Sequence, residues 1–383
     1  MADVTPAFVE RALREAGTLP AGVSMASAVA KPMALDGFLS DVGRLHLEYE
    51  QPTSASSLPS TVIVKLVSSR PEAMEAASSA GLYRAEMRFF QRFAETAAVG
   101  APHCYYSAED EASGHVVLLL EDLDERPGLY FLSQVDGIGQ REMEGMAAAM
   151  GALHAQHWSW GEDDRNPDDD AALPAWLSHA TRLGVRDPAN AANLERYLAS
   201  KFVDAASCEA RGVGGECREA CLAAMARGAQ LGDALRSGPQ TLCHNDARSD
   251  NIFWGDANAV GGVVFLDWQI MARNVGAADL AWVTTNSVTD EPPSEARDRR
   301  YVELYWRALT SRGVDTERYP LEACWRDYLL GVAWSYTLLI HIVGLGASAD
   351  ELLENELCRE IHDRCMRACY ALKAHEVPLQ RLV

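Results

Sequence analysis

The strongest constraint on the fold of this chain is a pair of neighbouring segments that combine short apolar runs with polar turns. The first, TLCHNDARSDNIFWGD (241–256), carries Asp246 and, five residues later, Asn251. The second, VVFLDWQIMARNVGAADLAW (263–282), carries Asp267 directly after the apolar run VVFL. Such runs predict short β-strands, and polar residues at their ends would lie close together. The segments therefore predict one site built from two carboxylates and an amide.

These three side chains suit a site for a metal ion and a hydroxyl group. Asn251 and Asp267 offer hard oxygen atoms, which Mg²⁺ prefers, and the ion in turn binds substrate phosphates. Asp246 precedes the amide and would be available to accept a proton from an attacking hydroxyl. The alternative for each residue is an ordinary structural role, such as a turn or helix-cap aspartate.

A second constraint is the lysine in the middle of the strand-like run TVIVKLVSS (61–69). β-Branched and apolar residues surround Lys65, so the run is predicted to be buried on at least one face. A buried lysine loses hydration worth several kcal/mol unless a carboxylate or a phosphate meets it. The alternative is an edge strand with Lys65 turned to water.

Composition limits the class of protein. The chain has 383 residues, enough for two lobes, and 48% hydrophobic with 23% charged residues is ordinary for a globular protein. A net charge of −21 argues against general affinity for nucleic acid. The first residues lack the pattern of an export signal, and the apolar run at 331–347 is too short and too polar to span a bilayer comfortably. We therefore expect a cytoplasmic protein that binds neither nucleic acid nor membrane.

The nine cysteines contain no C-x-x-C pair, which favours free thiols over a disulfide framework. Cys358, His362, Cys365 and Cys369 share one stripe of a predicted helix. That stripe could be a metal-binding face, but four ligands along one helix cannot easily converge on one ion. A buried helical seam is the favoured interpretation.

Along the chain, a β-rich first third is followed by a mostly helical remainder. Alternation at 33–67 predicts hairpin-like β structure, and 71–97 has the pattern of one helix. HVVLLLEDLD (115–124) predicts a buried strand that runs into an acidic turn. We expect an α+β protein with an N-lobe at 1–121 and a helical C-lobe at 122–383.

The motifs resemble those of a known superfamily. The spacing H-x-D-x-x-x-x-N, followed by an aspartate after an apolar strand, is similar to the catalytic and metal motifs of protein-kinase-like enzymes. The tryptophan and glutamine after Asp267, with Asp279-Leu280-Ala281 further on, look like the aminoglycoside phosphotransferase and choline kinase family, particularly its ecdysteroid-kinase-like branch. Protein kinases would show H-R-D, D-F-G and A-P-E, and all three are absent from this sequence. The resemblance covers about residues 35–285.

The resemblance implies a two-lobed kinase-like fold that uses ATP and Mg²⁺. Lys65 would contact the α- and β-phosphates and pair with Glu86, which lies 21 residues later on a predicted helix. The main chain from Glu121 to Leu123 would bind the adenine edge.

The resemblance also assigns roles in the C-lobe. Asp246 would be the catalytic base, and Asn251 with Asp267 would bind the metal ion. Arg248 would neutralise the transferring phosphoryl group, or alternatively form a salt bridge to Asp250 or a surface acid. His244 and Asp279 are expected to brace the loop, one through its ring and the other as a buried anchor.

The chain departs from the family pattern at two places. The turn that should cover the nucleotide lies near LDGFLSDVGRL (35–45), where Gly37 and Gly43 are the only glycines. Asn245 replaces a glycine that is common between the histidine and the aspartate. Asparagine tolerates a positive φ, so a left-handed backbone conformation would still be possible there.

The reaction implied is transfer of the γ-phosphoryl of ATP to a hydroxyl of a small molecule. One alternative is an antibiotic phosphotransferase that acts on a cationic aminoglycoside. Another is a nucleotide-binding pseudokinase that regulates a partner. Trp325, Tyr328, Trp334 and Tyr336 could cover the acceptor, although core packing is the favoured interpretation for each of them.

Overall fold

The structure is a computed structural model. It describes residues 4–33, 39–50, 58–110, 112–160, 173–174, 176–180, 194–343 and 353–380, without the side chains of Pro32 and 336–343. The chain divides into two compact units. The N-terminal unit contains Met1–Thr96 and Ala101–Tyr130, and the C-terminal unit contains Ala97–Gly100 and Phe131–Val383.

The N-terminal unit is built on a five-stranded antiparallel sheet in the order β1-β2-β3-β5-β4. Its strands are β1 (Met25–Pro32), β2 (Ser40–Tyr49), β3 (Thr61–Val67), β4 (Cys104–Asp110) and β5 (His115–Glu121). Lys65 lies opposite Val42 of β2 and Leu118 of β5. The strand that carries Lys65 is therefore central, and the edge-strand alternative is wrong.

Three helices accompany this sheet: α1 (Pro6–Glu15), α2 (Pro71–Ser79) and α3 (Leu82–Arg92). The helix α1 begins after Thr5, whose hydroxyl accepts a hydrogen bond from the Phe8 N–H at 3.2 Å. The expectation of one helix over 71–97 is wrong, because Gly81 adopts a φ of +69° and separates α2 from α3. Glycine takes this conformation without the steric cost that a side chain would bring.

The C-terminal unit is mostly helical, with short strands. Its helices are α4 (Gln140–Gln156), α5 (Ala205–Ala210), α6 (Gly215–Ala226), α7 (Gly228–Arg236), α8 (Gly276–Ser287), α9 (Glu295–Thr310), α10 (Leu321–Val343) and α11 (Glu356–Ala371). Its strands are β7 (Thr241–Cys243), β8 (Ile252–Trp254), β9 (Val263–Phe265) and β10 (Ala272–Asn274), and β6 (Tyr130–Phe131) lies at the boundary of the units. The β-sheet first part and helical second part make this an α+β fold.

The helix α8 forms the core of the C-terminal unit, because every one of its residues is buried. The helix α10 packs closely against it at Gly331. A Cβ atom added to Gly331 would lie 2.4 Å from the Ala278 Cα, so the two backbones approach too closely for any larger residue. This contact fixes α8 from the side of α10.

Two expectations about side-chain stripes are confirmed. Trp325, Tyr328 and Trp334 are buried, as core packing requires, while the side chain of Tyr336 lies outside the described residues. The cysteine stripe is a buried seam: all four members of Cys358, His362, Cys365 and Cys369 are buried. His362 Nε2 lies 2.5 Å from the Tyr197 hydroxyl oxygen.

Among the helices of the described ranges, none has the length and apolar character needed to cross a bilayer.

Candidate active site

A β-hairpin brings Asn251 and Asp267 to the same place in the C-terminal unit. Strands β8 and β9 pair antiparallel, with Ile252 opposite Phe265. Asn251 directly precedes β8 and Asp267 follows β9 by two residues, so both lie at one end of the hairpin. The Leu266 N–H donates to the Asn251 carbonyl oxygen at 2.8 Å and closes that end. Asp267 itself has a φ of +57°.

The side chain of Asn251 is oriented by Asp246. Its amide nitrogen Nδ2 donates to the Asp246 carbonyl oxygen at 2.9 Å and to the Asp246 Oδ2 at 3.0 Å. Because both contacts use Nδ2, the amide oxygen Oδ1 is the atom left to act as a ligand. Asn251 Oδ1 and the Asp267 carboxylate are hard oxygen donors, which fit the coordination preferences of Mg²⁺.

The carboxylate of Asp246 is held at both oxygens. Asn251 donates to Oδ2, and the Trp282 indole N–H donates to Oδ1 at 3.3 Å. Burial is the largest influence on this group and raises the pKa of the Asp246 carboxyl; the Arg248 guanidinium opposes that shift, and the Asp267 charge adds to it. A carboxylate with a raised pKa accepts a proton more readily than one in water.

Arg248 is engaged with two acids of the same loop. Its Nη1 lies 2.7 Å from the Asp250 Oδ2, and its Nε lies 3.5 Å from the Asp246 Oδ1. The other oxygen of Asp250 accepts from the Gln134 N–H at 2.7 Å. The salt bridge to Asp250 is therefore present, and contact of Arg248 with a transferring phosphoryl group stays a prediction.

His244 braces the loop rather than facing a substrate. The ring is fully buried, and its Nε2–H donates to the Leu266 carbonyl oxygen at 2.7 Å. Its Nδ1 accepts from the Asp246 N–H at 3.2 Å. One donor and one acceptor describe the neutral imidazole, which ties the Asp246 backbone to the segment before Asp267.

Asp279 of α8 anchors the start of this loop, as expected. Its Oδ2 accepts from the His244 N–H and its Oδ1 from the Asn245 N–H, each at 2.8 Å. Asn245 has a φ of +63°, which confirms that asparagine supplies the left-handed conformation here. The Asn274 side-chain amide also donates to the Asn245 Oδ1 at 3.1 Å.

In the N-terminal unit, Lys65 and Glu86 form the expected ion pair. The Lys65 Nζ lies 2.9 Å from Oε1 and 2.7 Å from Oε2 of Glu86. Lys65 is 9% exposed and Glu86 is 2% exposed, so water screens this pair weakly. The pair explains how a lysine is tolerated in a central strand, and its contact with phosphates stays a prediction.

The segment predicted to bind adenine lies at the end of β5. Arg126 pairs with the Glu121 carboxylate through Nε at 2.9 Å and Nη2 at 2.5 Å, and the Glu121 N–H donates to the His103 carbonyl oxygen at 2.8 Å. Leu123 begins a 3₁₀ turn, Leu123–Glu125, whose first N–H groups have no partner within the turn. Adenine binding by this main chain stays a prediction.

The expected nucleotide-covering turn is only partly described. Gly43 lies inside β2, opposite Val64, and does not belong to a turn. The connection between β1 and β2 is therefore shorter than expected, and Gly37 lies in its part outside the described residues.

Residues 34–313 match the model of the ecdysteroid kinase-like family. The chain belongs to the ecdysteroid kinase-like family. No curated protein matches it in sequence.

Several solved structures that match this chain are small-molecule kinases. A choline kinase from Cryptosporidium parvum Iowa II is 11% identical, with 96% of this chain and 94% of that chain covered and a TM-score of 0.50. A microcompartment-associated aminopropanol kinase is 14% identical, with coverage of 92% and 95% and a TM-score of 0.48. The GDP complex of wild-type aminoglycoside 2′-phosphotransferase-IIIa is 10% identical, with coverage of 89% and 93% and a TM-score of 0.49. At such identities, the likeness to the choline kinase shows the kinase-like fold alone.

Two residues of this ecdysteroid kinase-like protein contact the site without having been predicted. Gln134 is fully buried, and its Oε1 accepts from the Ser249 N–H at 2.7 Å. It lies 115 residues before Ser249, so local sequence carried no signal for it. Trp282 could have been found, because it lies three residues after Asp279 and so shares one face of α8 with that anchor.

Among the described residues, one further group has atoms that could bind a metal ion. These atoms belong to His154, Cys243 and Asp279 and lie within 4.8 Å of one another. All three are buried. His154 Nδ1 lies 2.9 Å from the Tyr305 hydroxyl oxygen, and both Asp279 oxygens already accept main-chain hydrogen bonds. His154 Nε2 lies 3.3 Å from the Asp279 Oδ2, while the Cys243 thiol donates to the Asn274 carbonyl oxygen at 3.6 Å, so these groups serve hydrogen bonds that support the loop.

Proposed function

We propose that this protein is a kinase that transfers the γ-phosphoryl group of ATP to a hydroxyl group of a small molecule. The observation that carries the proposal is the arrangement of Asp246, Asn251 and Asp267. The half-buried Asp246 carboxylate contacts the Asn251 amide. Asn251 and Asp267 lie at the same end of the β8–β9 hairpin. Membership of the ecdysteroid kinase-like family supports the same reaction.

In this proposal Asn251 and Asp267 hold a Mg²⁺ ion. The ion would offset the negative charge of the nucleotide phosphates. The residues fit this task because their donor atoms are oxygens and because Asp246 holds the Asn251 amide in one orientation. In the N-terminal unit, Lys65 would contact the α- and β-phosphates while its ion pair with Glu86 holds the ammonium group in place.

Asp246 would orient the acceptor hydroxyl and take its proton. As the acceptor oxygen forms its bond to the γ-phosphorus, the bond from that phosphorus to the β,γ-bridging oxygen breaks, and ADP leaves with that oxygen. Arg248 would partially neutralise the transferring group, in competition with its salt bridge to Asp250.

The two alternative functions make different demands on the same residues. A pseudokinase commonly lacks part of the set Lys65, Glu86, Asp246, Asn251 and Asp267, and this chain retains all five. An aminoglycoside phosphotransferase would perform the same reaction on a cationic acceptor, with which the net charge of −21 is compatible.

The test is acceptor-dependent release of ADP from Mg·ATP. The panel should contain sugars, sterols, amino alcohols, aminoglycosides and hydroxyacyl thioesters, with Asp246→Asn as the matched inactive control. We expect at least one acceptor to raise ADP release in the wild type and not in the variant. If the wild type binds Mg·ATP by calorimetry yet phosphorylates none of the panel, the pseudokinase reading replaces this one.

A further inference from the structure

The helix α8 presents two side chains to the 244–251 loop. Asp279 and Trp282 are three residues apart, which places them on one face of the helix. Asp279 accepts the main-chain N–H groups of His244 and Asn245, and Trp282 donates to the side chain of Asp246. One helix face thus contacts both the backbone and the reactive side chain of the loop.

We propose that Trp282 is a positioning residue for Asp246, an inference that rests on the proposed role of Asp246 as base. The terminal torsion of an aspartate has a broad energy minimum, so a single hydrogen bond leaves the carboxylate free to rotate. Asn251 restrains one oxygen, and the Trp282 N–H at 3.3 Å restrains the other, which the Arg248 Nε approaches only to 3.5 Å from a side chain already paired with Asp250. Two donors on different oxygens define the plane of the group.

The surroundings of Trp282 make it a rigid donor. The side chain is 6% exposed and belongs to a helix that is buried along its whole length. A bulky ring packed in this way holds one rotamer, since interiors are as dense as organic crystals. The indole N–H therefore stays directed at the Asp246 carboxylate before any substrate binds.

Positioning matters because general-base catalysis needs the carboxylate oxygen within hydrogen-bond reach of the acceptor hydroxyl. Misplacement of reacting groups by about 1 Å can cost on the order of 10²-fold in rate. The N–H···O distance of 3.3 Å is long for a hydrogen bond, which places the expected effect below that value. We expect Trp282→Phe to lower kcat by about 10- to 100-fold and to leave the KM for ATP unchanged.

A matched control separates this effect from loss of the larger ring. Trp254 of β8 is 2% exposed, and its indole nitrogen has no hydrogen-bond partner among the described residues. Trp254→Phe therefore removes the same atoms from a buried site without removing a contact to Asp246. We expect this variant to keep kcat within about threefold of the wild type.

Two further variants test whether Trp282 acts through Asp246. In an Asp246→Ala background, Trp282→Phe should lower the remaining rate by less than about twofold, because the group that it positions is gone. Incorporation of benzothienylalanine at position 282 keeps the ring shape and replaces the N–H with sulfur. It should reproduce the kcat loss, and it keeps the test usable if the phenylalanine variant does not fold.

The outcomes distinguish this inference from the proposed function. If Asp246→Ala lowers turnover by about 10²-fold or more while both changes at position 282 leave kcat unaltered, the positioning role is wrong and the kinase proposal stands. An equal loss from Trp282→Phe in the wild-type and Asp246→Ala backgrounds also overturns it, as does an equal loss from Trp254→Phe. Full turnover by Asp246→Ala would remove the base assignment and this inference together.

Discussion

Replacing either member of the Lys65–Glu86 pair should destabilise the N-terminal unit far more than replacing both. Glu86→Leu leaves a buried ammonium without a partner, and Lys65→Met leaves a buried carboxylate. Breaking a buried pair in this way costs about 3–5 kcal/mol. Lys65→Met with Glu86→Leu removes both charges and substitutes apolar atoms, which is often neutral or stabilising.

The protonation equilibria limit the cost of each single change. A stranded lysine can lose its proton, which from a reference pKa near 10.4 costs about 4.6 kcal/mol at pH 7. A stranded glutamate can gain one, which from a reference pKa near 4.3 costs about 3.7 kcal/mol. Since about 1.36 kcal/mol corresponds to a factor of ten, each single change should raise the opening equilibrium of the unit by up to roughly 10³-fold.

The measurement has to report on the N-terminal unit alone. All nine tryptophans lie between positions 158 and 334, so fluorescence follows the C-terminal unit. Hydrogen exchange of peptides from β3 and α3 resolves the unit that carries the pair. Arg84→Met is the control, since Arg84 also lies on α3 and pairs with Glu109, but its side chain is 56% exposed; an exposed pair contributes about 0–1 kcal/mol.

We expect greatly faster hydrogen exchange in Lys65→Met and in Glu86→Leu, and near wild-type exchange in the double variant and in Arg84→Met. Both variants that lack Lys65 should lose phosphoryl transfer. Single variants that exchange within tenfold of the wild type would refute the account of a weakly screened, mutually dependent pair. The account would also be refuted if the double variant exchanged as fast as the sum of the two single effects on the free energy of unfolding requires.

Three further predictions concern the C-terminal unit. Asp246→Asn keeps the size of the side chain, so calorimetry should find nearly unchanged affinity for Mg·ATP. Turnover should fall by about 10²- to 10⁴-fold, and turnover within a few-fold of the wild type would contradict the base assignment. Asp267→Asn removes the charge of a proposed metal ligand, so the Mg²⁺ concentration for half-maximal activity should rise or activity vanish. Full wild-type activity in excess chelator would reject the metal assignment. Cys217 is partly exposed and lines a cavity of about 470 Å³. A hydrogen bond with Cys221 lowers the pKa of its thiol, whereas burial raises the pKa of the Cys104 thiol to about 11. A hydrogen bond with Cys221 also lowers the pKa of the Cys369 thiol, to about 6, but Cys369 is fully buried and out of reach of reagent. Iodoacetamide near pH 8 should therefore label Cys217 first, and equal labelling of Cys217 and Cys104 by peptide mass spectrometry would count against this.

Local sequence was informative where a strong physical demand acts on neighbouring residues. A lysine inside an apolar run requires a counter-charge, and Glu86 supplies it at 2.7 Å. The proximity of Asp246 and Asn251 was predictable because they lie five residues apart between short strands, and the Asn251 amide donates to the Asp246 carboxylate at 3.0 Å. Asn245 could be interpreted from its residue type, since a left-handed φ of +63° suits asparagine.

Other features were beyond local patterns. The strand β1 (Met25–Pro32) is rich in alanine and ends in proline, so its strand propensity is weak, and pairing with β2 stabilises it. Gly81 separates two helices whose apolar periodicity continues across it. Gln134 reaches Ser249 across 115 residues, a contact that depends on the complete fold.

The contacts made by α8 have a consequence for engineering. The 244–251 loop is held from outside at both of its ends. The Asp279 carboxylate and the Trp282 indole of α8 bind its first residues, and Gln134 binds Ser249 and Asp250. A graft of the loop alone would carry Asp246 and Asn251 without the atoms that hold their backbone and orient the Asp246 carboxylate. The smallest transferable module is therefore the loop together with α8 and the segment that carries Gln134, and a host scaffold must also offer a neighbouring helix with a glycine where Gly331 meets Ala278.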